Sequence, residues 1–205
     1  MGMKLKIIVP PHPLIAHWLT MLRNASTPAA LYSAGLEQLG RWLTYEALRE
    51  WLPYRNEKVK TFICNTEGTV IESRVPLLAI TKLPAGLDLW QGARDILPNA
   101  QLCLGGIPDS IHENAGIIIY MDQITTGETL LKYLHQLKVQ SIESKRIRII
   151  TVLASAPGLK KIGESFSDVT IYAACIDPEI TSEGYISPGI GNPALRINTR
   201  IEGKD

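Results

Sequence analysis

The sequence predicts an α/β protein in which helices flank a mainly parallel β-sheet. Two runs, near residues 117 and 149, are apolar at successive positions, which is typical of parallel strands covered on both faces. Segments with helical periodicity alternate with the later apolar runs, and this alternation favours strand–helix–strand units. The chain has 205 residues, a length that corresponds to one domain.

The first long helix is predicted over residues 29–51, where apolar side chains recur at helical spacing. Ser26 or Thr27 is expected to cap this helix. Pro28 is expected in its first turn, where the missing N–H group of proline is tolerated.

The α/β core is predicted over residues 56–205, after an N-terminal arm and helix in residues 1–55. Its strands are predicted at residues 60–64, 76–80, 101–104, 116–121, 148–154 and 169–176. Its helices are predicted at residues 87–97, 127–138 and 157–166. In such sheets ligands bind at the carboxyl ends of the strands, so the loops that follow the strands are the places to seek a site.

The overall composition excludes several classes of function. A net charge of +1 argues against a dedicated binder of nucleic acid or anionic membranes, which carries a clear excess of basic residues. The longest apolar stretches are far shorter than a membrane span, and we expect a cytoplasmic protein. The cysteines lie in separate apolar runs, so we expect reduced, buried thiols and no metal site. They are Cys64, Cys103 and Cys175.

One strand-to-helix loop carries the pattern of a phosphate site. Asp122 follows the apolar run at 116–121, and a turn of mostly small residues leads into the helix at 127–138. Backbone N–H groups at a helix N-terminus bind anions, and the helix dipole adds to the attraction. The turn consists of Thr125, Thr126, Gly127, Glu128 and Thr129. For the turn alone, an ordinary strand–turn–helix with a threonine cap is the alternative.

The wider segment IIIYMDQITTGETL resembles the phosphoribosyl pyrophosphate (PRPP) motif of type I phosphoribosyltransferases. The resemblance implies that Asp122 binds the ribose hydroxyls of PRPP and that the turn at 125–129 binds its 5′-phosphate. Met121 stands at the first of the motif's two acidic positions, and Gln123 replaces a usually apolar residue. The carboxylate of Glu128 either enters the turn or points to solvent. We favour solvent, because a charge about 6 Å from the phosphate costs roughly 3 kcal/mol.

Further segments narrow the resemblance to the uracil phosphoribosyltransferase family. The segments HPLIAHWLTMLR, LTYEA and EGYISPGIG are similar to blocks of that family and occur in the same order. The last is similar to the family's uracil-binding segment, where recognition is mostly through backbone groups. The resemblance therefore implies a uracil site formed by Tyr185, Ile186, Gly189, Gly191 and Asn192.

The resemblance also implies a reaction, its substrates and an assembly. The family transfers ribose 5-phosphate from PRPP to uracil, which yields UMP and pyrophosphate in pyrimidine salvage. Mg²⁺ is expected to arrive with PRPP, held largely by the oxygens of the substrate itself. A homodimer is expected as well, and the apolar side chains of the N-terminal arm offer a contact surface for it. They are Leu14, Ile15, Trp18 and Leu19.

Three departures from the family bear directly on activity. The family's Arg before Ala-Gly-Leu is Pro84 here, so the degenerate pyrophosphate loop consists of Lys82, Pro84, Ala85 and Gly86. The family's long covering loop is reduced to residues 105–115, which contain no Arg, Lys or Tyr, and both aspartates of its GDAGD segment are absent. Lys82 is then the evident cation for the leaving group, and it is a point charge rather than a fork of donors.

Two interpretations of the function follow. In the first, the chain is a uracil phosphoribosyltransferase with an altered pyrophosphate site. In the second, it is a weak or inactive relative that senses a nucleotide or PRPP, or that supports an unidentified protein partner. An unrelated doubly wound nucleotide-binding or receiver-like domain is a third alternative, which no GxGxxG motif supports.

Overall fold

The fold is built on a six-stranded sheet, which we describe from a computed structural model covering residues 5–97 and 99–198. Its strands are β1 (Lys6–Ile8), β4 (Leu77–Thr81), β5 (Gln101–Leu104), β6 (Gly116–Ile124), β7 (Ile147–Ser155) and β8 (Thr170–Asp177). They lie in the order β1-β8-β7-β6-β4-β5, and every neighbouring pair is parallel. The predicted fold class is therefore confirmed.

Helices cover both faces of this sheet and bury two apolar cores. One face carries α1 (Pro13–Arg23), α2 (Ala29–Leu48) and α3 (Ala85–Ala93), and the other carries α4 (Glu128–Val139) and α5 (Ala156–Ser165). In β6, Ile118 and Tyr120 pack on the first face while Ile117 and Ile119 pack on the second. This alternation explains why the strand is apolar at successive positions. No helix among the described residues is long and apolar enough to cross a membrane.

The strand predicted at 60–64 is wrong, because Lys60 ends a strand and residues 61–64 form the turn of an exposed hairpin. The hairpin consists of β2 (Tyr54–Lys60) and β3 (Asn65–Ile71), paired antiparallel and outside the main sheet. In its turn, Thr61 Oγ1 accepts hydrogen bonds from the N–H groups of Ile63 and Cys64 at 3.2 and 3.1 Å. Such hydroxyl–backbone bonds favour a turn over a strand. Cys64 is exposed, so the prediction that it is a buried thiol is also wrong.

The N-terminal part of the chain differs from the prediction in two details. Pro28, rather than Ser26 or Thr27, is the N-cap residue of α2, and no side chain caps that helix end. The hydroxyl of Thr27 is unavailable because it donates to the Met21 carbonyl at 2.7 Å. In addition, β1 lies within the predicted arm, yet it is an edge strand of the main sheet beside β8.

A short ribbon continues the chain beyond the carboxyl end of β8. It pairs β9 (Glu179–Ile180) antiparallel with β10 (Ile186–Ser187), and α6 (Pro193–Ile197) follows. The ribbon and the loop after it carry the segment that resembles the uracil-binding block. They place this segment at the same edge of the sheet as the loop after β6.

Candidate functional site

The candidate site lies at the carboxyl ends of β4 and β6. These strands are parallel neighbours, but the chain goes from β4 to β5 on one side and from β6 to β7 on the other. Such a reversal opens a crevice at the strand ends, where α/β proteins bind their ligands. A cavity of about 80 Å³ occurs there, lined by Lys82, Met121 and residues 123–130.

The turn before α4 has the geometry of an anion cradle. Gly127 is the N-cap residue of α4, with φ at 78°, and no side-chain hydrogen bond caps this helix. The alternative of a threonine cap is therefore wrong, and the N–H groups of the first turn are left for a ligand. A Cβ atom on Gly127 would lie 2.9 Å from the Gly158 carbonyl oxygen, so both the dihedral angle and the packing require glycine.

Ser155 holds this turn in place from the next strand. Its buried hydroxyl donates to the Thr125 carbonyl at 2.5 Å and accepts from the Gly158 N–H at 2.9 Å. The second bond makes Ser155 the N-cap residue of α5. The sequence contains the signal for that cap, a serine two residues before Pro157, but nothing in it relates the serine to the cradle.

Glu128 points away from the cradle, which is the orientation that we favour from the sequence. Its carboxylate lies 3.0 Å from Lys161 Nζ of α5, and its side chain is 71% exposed. Thr126 and Thr129 are exposed at the same turn, where their hydroxyls are free to meet a ligand from solvent. The charge of Glu128 is thus compensated outside the site.

Asp122 and Lys82 face each other across the crevice. Asp122 Oδ1 lies 3.0 Å from Lys82 Nζ and accepts the Gln123 N–H at 2.9 Å. The Asp122 side chain is 9% exposed and that of Lys82 is 36% exposed. The structure therefore brings Asp122, predicted to bind the ribose hydroxyls, together with Lys82, predicted to bind the pyrophosphate.

The rest of the degenerate pyrophosphate loop forms the start of α3. Pro84 is exposed and is the N-cap residue, whereas Ala85 and Gly86 are buried in the first turn. The Gly86 N–H donates to the Lys82 carbonyl at 2.9 Å, which closes the loop tightly against β6. Lys82 thus provides the one polar side chain of residues 82–86, beside their backbone groups, for a ligand on this side.

The short loop at 105–115 turns away from the site. The Pro108 carbonyl accepts from Gln140 at 2.8 Å, and the Asn114 carbonyl accepts from Arg146 at 2.8 Å. Gln140 and Arg146 follow the end of α4 and precede β7, so these bonds hold the loop at the opposite edge of the sheet. Held there, the loop leaves this side of the crevice uncovered.

The predicted uracil-binding residues lie in the segment 185–192, which we call the base segment. It approaches the cradle through Gln123, a residue whose role the sequence does not reveal. Its side-chain amide donates to the Gly191 carbonyl at 3.1 Å. Among the other predicted uracil residues, Ile186 is buried, Tyr185 is 45% exposed, and the Asn192 side chain caps α6 by accepting the Leu195 N–H at 3.3 Å. This bond engages the side-chain oxygen of Asn192 in the cap.

A second network, also absent from the sequence prediction, fixes Gly189. Arg23 donates to both carboxylate oxygens of Asp177, at 2.6 and 2.9 Å, and to the Gly189 carbonyl at 2.9 Å. Asp177 Oδ2 also accepts the Gly189 N–H at 2.9 Å. Burial favours a higher pKa for Asp177, but the bonds from Arg23 and Gly189 outweigh burial and hold that pKa below its ordinary value. The carboxylate is therefore charged at neutral pH.

Comparison with known proteins decides which family this site belongs to. The profile of the family described as uracil phosphoribosyltransferase matches residues 9–197. The chain belongs to the uracil phosphoribosyltransferase family. The resemblance on which the sequence interpretation depends is thus confirmed over nearly the whole chain.

Members and structures of comparable length support the assignment. The uracil phosphoribosyltransferase of Nostoc sp. is 35% identical over 213 residues, covering 96% of this chain and 99% of that protein. The one from Synechococcus elongatus is 33% identical, covering 96% and 98%. A solved structure of an Aquifex aeolicus protein superimposes with a TM-score of 0.81 at 28% identity, covering 94% of this chain and 97% of that one.

Proposed function

We propose that the chain transfers ribose 5-phosphate from PRPP to uracil and releases UMP and pyrophosphate. The bond between the anomeric carbon and a pyrophosphate oxygen breaks, a bond from that carbon to a uracil nitrogen forms, and that nitrogen loses its proton. Family membership and the names of the relatives support this reaction. The observation that carries it is the hydrogen bond from Gln123 to Gly191, because it sets the base segment beside an anion cradle.

The cradle and Asp122 position the sugar phosphate. The uncapped first turn of α4 receives the 5′-phosphate, and the carboxylate of Asp122 accepts from the ribose hydroxyls. The protein then accelerates the reaction chiefly by holding the anomeric carbon and the base in line and by stabilising charge on the leaving group.

Lys82 is the cation that we assign to the leaving pyrophosphate. Among the described residues that line the cavity, it alone is positively charged. When ribose hydroxyls occupy Asp122, the Lys82 ammonium is released from its ion pair toward the pyrophosphate. Mg²⁺ enters as part of the PRPP complex in this proposal. The described residues contain no group of three or more His, Cys, Asp or Glu side chains that could hold a metal on their own.

The comparisons favour the transferase over a sensing or scaffold module. Relatives that match nearly end to end carry the transferase name. The altered pyrophosphate loop is then a feature of an active enzyme. We expect it to lower the rate rather than to abolish the reaction.

A homodimer in the cytoplasm is also part of the proposal, although its contact surface differs from the predicted one. Ile15 and Leu19 are 2% and 8% exposed because they pack inside the core, so they are unavailable to a second copy. The hairpin turn offers the larger apolar surface, since Phe62 and Ile63 are almost completely exposed. Sedimentation of the unmodified chain and of Phe62→Ser tests this assignment, and a dimer unaffected by the substitution would contradict it.

Conversion of labelled uracil to UMP in the presence of PRPP and Mg²⁺ tests the reaction. We expect one pyrophosphate for each UMP, and a large loss of rate in Asp122→Asn. Asp109→Asn, an exposed position in the loop that turns away from the site, is the matched control and should leave the rate unchanged. Calorimetric binding of PRPP without turnover would favour the sensing alternative, and absence of both would refute the proposed site.

A further inference from the structure

The base segment is held by an ion pair whose two residues have no role in the reaction as proposed above. Arg23 is the last residue of α1, and Asp177 is the last residue of β8, far from it in sequence. The two guanidinium nitrogens meet the two carboxylate oxygens, so the pair is a bidentate fork with a fixed relative orientation. The Asp177 side chain is 4% exposed and that of Arg23 is 25% exposed, which shields the pair from water.

Both residues of the pair also form hydrogen bonds with the backbone of Gly189. Arg23 donates to its carbonyl, and Asp177 accepts its N–H, each at 2.9 Å. Both hydrogen-bonding groups of this peptide residue are therefore fixed by the same ion pair. Because backbone direction decides which donors and acceptors face a base, fixing Gly189 fixes the recognition surface.

The backbone conformation and the close packing at position 189 leave no room for a residue with a side chain. Its φ is 68°, and a Cβ atom would lie 2.1 Å from the Ile186 carbonyl oxygen. The chain thus folds back on itself between Ile186 and Gly189, in the middle of the base segment. Such a tight turn needs external anchors to keep one conformation, and Arg23 and Asp177 supply them.

We propose that Arg23 and Asp177 are positioning residues for pyrimidine recognition, which act by holding Gly189 in the conformation that binds uracil. This inference rests on the proposed function. A purely architectural ion pair would join α1 to β8 and leave the base segment alone, whereas two of the hydrogen bonds of this pair end on that segment. The sugar-phosphate cradle is held separately, by Ser155 and Gly127.

The two Michaelis constants separate this role from an architectural one. In Asp177→Asn and in Arg23→Gln we expect KM for uracil to rise about tenfold or more, because Gly189 loses a charge-assisted partner. We expect KM for PRPP to stay within about twofold, because the cradle does not share these bonds. The double variant should be little worse than either single one, since the pair acts as a unit.

A second Arg–Asp pair in the chain serves as the matched control. Arg41 and Asp95 are 3.6 Å apart on the surface and touch no predicted site residue, so Arg41→Gln should leave both constants unchanged. If Asp177→Asn fails to fold, Arg23→Lys keeps the charge but not the fork, and a selective rise in KM for uracil is expected there too.

The outcomes distinguish the two proposals. A wild-type protein that neither converts nor binds uracil refutes the proposed function, and the positioning role falls with it. A wild-type protein that is active, with variants whose two KM values are unchanged or rise equally, refutes the positioning role alone. A selective rise for uracil supports both.

Discussion

Replacing Ser155 with alanine tests whether the cradle is held by a side chain of the neighbouring strand. The substitution removes one hydroxyl and, with it, the bonds to the Thr125 carbonyl and the Gly158 N–H. Loss of the N-cap of α5 costs about 1 kcal/mol. A Thr125 carbonyl left without its donor adds about 1–2 kcal/mol. We therefore expect the free energy of unfolding to fall by about 2–3 kcal/mol.

Urea denaturation measures this loss directly. With a slope of about 2–3 kcal/mol per molar urea, the midpoint should move down by about 1 M. The KM for PRPP should rise several-fold because the turn at 125–129 is less well fixed, while that for uracil should change less. Ser165→Ala, at an exposed position of the same helix, should change stability by less than about 0.5 kcal/mol. A Ser155→Ala midpoint equal to that of this control would refute the reasoning.

Three further predictions concern the site. Gly127→Ala should weaken binding of PRPP in calorimetry and lower the melting temperature, because a side chain at positive φ costs about 1–2 kcal/mol; unchanged binding would contradict the cradle. Pro84→Arg should raise kcat by adding a donor for pyrophosphate, though not to the full rate of an enzyme with a covering loop. An unchanged or lower kcat would count against the assignment of Lys82 as the one cation that the described cavity lining offers to pyrophosphate. Because its pKa is lowered in the folded state, Asp177 stabilises the fold above about pH 4, and this contribution disappears as the pH falls through the folded-state pKa. The urea midpoint of the wild type should therefore drop more steeply below pH 4 than that of Asp177→Asn. Parallel curves for the two proteins would argue against the ion pair.

The sequence predicts the parts of the fold that repeat a local pattern. The buried strands and the helices after them are recognisable because apolar periodicity extends over many positions, as in β6 and α4. The hairpin is missed because β2 is polar and exposed on both faces, so no alternation marks it. The strand β1 is missed because a three-residue edge strand forms only through its pairing with β8.

The same distinction applies to the candidate site. The cradle is predictable because Asp122 and residues 125–129 are contiguous, so a single motif contains them. The Arg23–Asp177 pair joins residues 154 positions apart, and neither lies in a motif that states its partner. Gln123 reads as a departure from the family in the sequence, and only the folded chain shows that its amide reaches Gly191.

The pairing of β1 with β8 also bears on how the protein is made. Lys6 lies opposite Thr170, so β1 is synthesised well before the strand with which it pairs. At about 5–20 residues per second, about 8 to 33 seconds separate the synthesis of Lys6 from that of Thr170, and β1 lacks its partner strand during that time. The sheet, and with it the Arg23–Asp177 pair, can therefore be completed only once residues 170–177 have been synthesised. Substitutions in β1 are accordingly expected to lower the yield of folded protein more than the stability of the product.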